Sequence, residues 1–187
     1  MKVIPVFGSM PVSDISQNLV APVEVRQAAK DWIKGTQGKG WVLIGGLAFA
    51  FYSRPRLTTD MGVLFLTADV PEVDGFKRVR KGAELHKDTH VEVETVTPQS
   101  INLPQSVAQM VFSTAVSVHG YKVASLEAMV VLKLYAADNQ KRRHRDMGDI
   151  IEMLTHNATF TKERLTGWTL QDHRIARFEE CYNDAHS

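Results

Sequence analysis

Apolar residues at Val25, Ala28, Ala29, Trp32 and Ile33 recur at the i, i+3, i+4, i+7, i+8 spacing of one helix face. Pro22 sits at a first helical position and Gly35 at a stop, so the pattern predicts a helix over 22–35. The pattern then changes. WVLIGG (41–46) is an unbroken apolar run ending in two glycines, and LAFAFYSR (47–54) suits a short buried helix. LTTDMGVLFL (57–66) reads as a buried strand that carries one charge, Asp60. HVEVETV (90–96) alternates strictly, so Val91, Val93 and Thr95 face one way and Glu92, Glu94 and Val96 the other. A short helix follows Pro104, and VSVHGYKVA (116–124) predicts a hairpin around His119-Gly120. From Ser125, a candidate N-cap, Leu126, Met129, Val130, Lys133, Leu134 and Ala137 fall on one stripe. A second helix over 141–154 presents Ile150, Ile151 and Leu154, and the tail after Thr161 is helix-like.

These elements predict an α+β fold, a mixed β-sheet backed by helices, with a helical C-terminal part. The divisions expected are an arm over 1–21, an α/β core over 22–124 and a helical part over 125–187. Composition narrows the class. Among 187 residues, 44% are hydrophobic and 23% charged, which excludes disordered and collagen-like chains. Lys plus Arg number 22 against 21 for Asp plus Glu, too balanced for a protein living by bulk attraction to nucleic acid. The single cysteine, Cys181, excludes an intramolecular disulfide and suits a reducing compartment. Pro5, Gly8 and Pro11 interrupt the apolar start, and no apolar stretch reaches the roughly 20 residues of a bilayer span. The expectation is a cytoplasmic protein with no membrane contact.

Candidate chemistry gathers between Gly45 and Glu94. Gly45-Gly46, between a strand and a helix, allows phosphates to approach the backbone; a simple packing turn is the other reading. Asp60 opens an apolar strand and needs water, a partner or a metal. Glu92 and Glu94 share a strand face, about 6.5 to 7 Å apart. On neighbouring strands, Asp60 and these glutamates would converge on an oxygen-ligand site for Mg²⁺; a solvated polar face is the alternative. Lys133 is an odd member of an apolar stripe, either snorkelling or reaching for an anion. Arg142, Arg143 and Arg145 either contact phosphates or form a solvated face, with Asp146 and Asp149 placed to order them. The seven histidines show no H-E-x-x-H spacing, and no G-x-S-x-G elbow is present.

In order, Ile44-Gly45-Gly46, a spacer over Leu47–Thr59, Asp60-Met61 and a later-strand Glu94 resemble the nucleotidyltransferase superfamily of polymerase-beta-like enzymes. GGLA (45–48), RPRLTTD (54–60), LEAMVVLKLYA (126–136) and RRHRDMGDI (142–150) bring it nearest to small stand-alone members, including abortive-infection toxins. The resemblance spans roughly 40–155. It implies transfer of a nucleotidyl group from a nucleoside triphosphate to a hydroxyl on RNA, protein or a small molecule, with Mg²⁺ or Mn²⁺. Gly45 and Gly46 would cradle phosphates, and Asp60 and Glu94, with Glu92 as rival, would hold metal. Lys133 would stabilise charge, and Arg54, Arg56 and Arg145 would meet phosphates. An antitoxin-like partner is also implied. One position departs from the family: its second carboxylate falls at 62, which is Gly62 here. Losing a ligand worth about 3 to 5 kcal/mol slows chemistry about 10² to 10⁴-fold. The alternative implied is a catalytically degraded module that binds a nucleotide or RNA.

Overall fold

The computed structural model describes residues 22–54, 58–118 and 121–187. The expected arm over 1–21, Arg56 and the His119-Gly120 turn lie outside the described residues.

Helix α1 (Val23–Gly35) buries Val25, Ala28, Ala29 and Trp32, the stripe its spacing requires. Pro22 is the residue before its first turn, one position earlier than expected. Its end is tied to the first strand. Thr36 Oγ1 donates to the Trp32 carbonyl and accepts from Trp41 Nε1 at 2.8 Å. Strand β1 (Trp41–Ile44) leads straight into the five-residue helix α2 (Gly45–Phe49). Strand β2 (Asp60–Phe65) follows, then a hairpin of β3 (Phe76–Arg80) and β4 (Ala83–His86), then β5 (Glu92–Val96). Helix α3 (Gln105–Thr114) precedes a second hairpin, β6 (Val116–Val118) and β7 (Tyr121–Val123). Helices α4 (Leu126–Ala136), α5 (Arg143–His156) and α6 (Asp172–His186) complete the chain.

The seven strands form one mixed sheet in the order β3-β4-β5-β2-β1-β7-β6. β2–β5 and β1–β7 are parallel, and every other pair is antiparallel. The fold is therefore α+β, as the pattern predicts. β2 and β1 lie inside the sheet, which is why both read as near-continuous apolar runs. Met61, Val63 and Val93 point to one face, where Trp32 of α1 meets Phe76 edge-on at 5.2 Å between ring centroids. The opposite face carries Asp60, Gly62, Glu92 and Glu94, through the registers Asp60↔Glu92 and Gly62↔Glu94.

Helix α4 is apolar almost all round and is buried accordingly. Ser125 caps it, its hydroxyl accepting from the Ala128 N–H at 3.2 Å. Helix α5 packs against α4, and α6 buries Phe178 and Cys181 beside them. No helix among the described residues is long and apolar enough to cross a membrane.

Candidate functional site

Asp60 lies exposed at the first position of β2, beside Glu92 in the parallel register with β5. The adjacency of these two strands, which the sequence left as a condition, is present. Glu92 is engaged elsewhere, however, in an ion pair with Arg80 of β3. Gly62 faces Glu94 across one ladder and Ile44 across the other. A Cβ built at 62 would stand 3.3 Å from the Ile44 carbonyl oxygen and 3.4 Å from its Cγ1, so β1 crowds the place where a side chain would start. A side chain at 62 would require Ile44 to give by a few tenths of an ångström.

The two glycines after β1 do different jobs. Gly45 has φ +70°, a left-handed value that costs an L side chain about 1–2 kcal/mol, and it packs over Gly62. It lines a cleft between the carboxylate face and α4. Gly46 faces the other way. A Cβ there would stand 2.8 Å from Thr58 Oγ1, so Gly46 permits close packing and does not line the cleft.

The cleft holds about 540 Å³. Ile44, Gly62, Glu94 and Val96 form its sheet wall, and Met129, Leu132, Lys133 and Tyr135 its helix wall. Lys133 Nζ donates to Asp146 Oδ1 at 2.7 Å and lies 2.6 Å from Asp149 Oδ2, and all three residues are buried. The sequence places these aspartates beside the arginines of their own helix; instead they turn inward to neutralise the one lysine on the apolar stripe. A buried ammonium demands such partners, because desolvation without them would cost several kcal/mol. Of the three arginines, Arg142 stands exposed on the rim, Arg143 Nε donates to the Ala137 carbonyl at the end of α4, and Arg145 is exposed off the wall. Arg54 is also exposed and off the wall.

Residues the sequence did not single out close the outer end. Arg174 of α6 lies flat on Tyr135, 3.8 Å from the ring centroid, and pairs with Asp138 and Gln171. Burial pushes the Asp138 carboxyl up, but hydrogen bonds from Arg177 and Arg174 outweigh it and hold the carboxyl below its ordinary range. No local pattern marks this cluster, since Arg174 and Asp138 lie 36 positions apart. Among the described residues, three buried side-chain polar atoms lack a hydrogen-bond partner: Trp32 Nε1, Asp146 Oδ2 and Arg174 Nε. Asp146 and Arg174 both line the cleft.

The donor set does not fit the metal pair that the family resemblance implies. Asp60 and Glu94 are diagonal on adjacent strands, position 62 offers no oxygen, and Glu92 is held by Arg80. Among the described residues, no group of three or more His, Cys, Asp or Glu side chains is placed to hold a metal ion. What the site offers is a walled cleft with a rim cation and polar groups in its wall.

No family model matches the chain. No curated protein matches it either. Among solved structures, it is similar to an antigenic nucleotidyltransferase-like protein from Paracoccidioides brasiliensis, with 16% identity and a TM-score of 0.48 over 77% of this chain and 79% of that one.

Proposed function

We propose that the chain binds a nucleotide in the cleft between the carboxylate face and α4, as a nucleotidyltransferase-like module whose transfer chemistry is curtailed. The observation that carries this reading is the cleft wall itself. It encloses about 540 Å³ and combines a left-handed Gly45 with apolar Met129 and Leu132 and a rim Arg142. A nucleotide, with an apolar base face and an anionic phosphate chain, suits a wall of apolar side chains edged by a cation. The curtailment rests on Gly62, crowded by Ile44, and on Glu92, engaged by Arg80.

Calorimetric titration with each of the four nucleoside triphosphates tests the binding. Arg142→Ala is expected to weaken it by roughly ten-fold, the scale of one charged hydrogen bond, without unfolding the chain. Absence of binding by all four overturns the reading. A second reading, an active transferase, is favoured by Asp60 and Glu94 facing the same way on adjacent strands. Label transfer from α-labelled triphosphates to total RNA or lysate protein, with Mg²⁺ and with Mn²⁺, decides between the two. The binding reading expects no transfer; transfer by the unaltered chain would replace it and make the acceptor and any antitoxin-like partner the next questions.

A further inference from the structure

The β3–β4 ladder contains an irregularity with a chemical effect. Lys77 pairs with Leu85 and Arg78 with Glu84, but the next pair is Arg80 with Ala83, so Val79 is the extra residue of a bulge. Leu85 and Ala83 in turn face Glu92 and Glu94 across β5. In a regular strand, Lys77 and Val79 would share the carboxylate face and Arg80 would point away from it. Lys77 keeps its place on that face, opposite Leu85, but beyond Arg78 the bulge shifts the alternation. It brings Arg80 onto the carboxylate face, where its guanidinium pairs with Glu92, while Val79 is 48% exposed on this edge strand. A broken ladder is the cost the strand carries while adding a second cation to that face.

We propose that Arg80 is a resident cation of the carboxylate face, occupying Glu92 and standing in place of a divalent ion, so that this face does not recruit metal. Asp60, Glu92 and Glu94 are three carboxylates on two adjacent strands, and uncompensated they would repel one another. A guanidinium paired on that face relieves the repulsion and repels an incoming dication. It does so without the geometry demanded by Mg²⁺, which position 62 no longer supplies. This inference rests on the sheet register and the Arg80 pair, and it stands or falls separately from nucleotide binding.

Mn²⁺ is the probe, titrated into the full chain without nucleotide and followed by its electron paramagnetic resonance signal. Arg80→Ala frees Glu92, and Arg80→Lys keeps the charge. The expected result is Mn²⁺ binding roughly ten-fold tighter for Arg80→Ala than for the unaltered chain, the scale of removing one exposed like charge and one exposed ion pair. Arg80→Lys is expected to stay near the unaltered chain. A second pair, Gly62→Asp and Gly62→Asp with Arg80→Ala, supplies the absent carboxylate and should show the same ordering at higher affinity. Circular dichroism identifies a chain unfolded by crowding at Ile44, in which case the first pair decides. Equal Mn²⁺ affinity with and without Arg80, or micromolar binding by the unaltered chain, overturns the proposal.

Discussion

Lys133 shows how one residue ties chemistry to stability. Its ammonium sits between Asp146 and Asp149, and Asp146 is wholly buried. Lys133→Met keeps the length and leaves two buried carboxylates facing no cation, so it is expected to cost about 3–5 kcal/mol in urea unfolding. The same measurement separates the two glycines. Gly46→Ala forces Thr58 to move and is expected to cost about 1–3 kcal/mol of stability with little effect on cleft binding. Gly45→Ala is expected to disturb the cleft itself. Cys181 is buried on α6, and burial, with Glu180 and Asp184 adding, pushes its thiol up to about 11. It is expected to react with a thiol reagent at pH 8 only as the chain unfolds, so its labelling rate should rise in step with urea.

At the scale of elements, α6 is fastened where α4 ends. Arg174, Arg177 and His173 all reach Asp138, just past the last turn of α4. The folded carboxyl titrates below its unfolded value, so its contribution is complete above the ordinary range near about 4 and fades as pH falls through the folded value. The melting temperature of the unaltered chain is therefore expected to drop more steeply below that pH than that of Asp138→Asn. Legibility also divides along element lines. The stripe of α1, the alternation of β5 and the Ser125 cap are local patterns, and each appears where its spacing puts it. The β3–β4 hairpin left no clear signal in the sequence, because its strands carry no clean alternation once the bulge shifts the register. The inward turn of Asp146 and Asp149 was not legible: i, i+3 and i, i+4 spacing names neighbours on one helix, and their true partner lies on another.

For the molecule as a whole, the α+β class followed from the order of patterns, whereas the cleft needed three dimensions. It is assembled from β1, β2, β5, α4, α5 and α6, segments that meet only when the sheet is complete. Gly62 was visible as a departure from a motif, but the approach of Ile44 and the engagement of Glu92 by Arg80 were not.

The position of β1 has a consequence in time. One of its edges pairs with β2, close behind it in the chain, while the other waits for β7, with Leu43 opposite Val123 about 80 residues later. At about 5–20 residues per second of synthesis, that second edge stands uncovered for roughly 4 to 16 seconds on a nascent chain. Trp41, Val42 and Leu43, all buried at the end, lie along it. The interval during which this chain is most open to pairing with the wrong strand is therefore written into its strand order, and it closes when β7 leaves the ribosome.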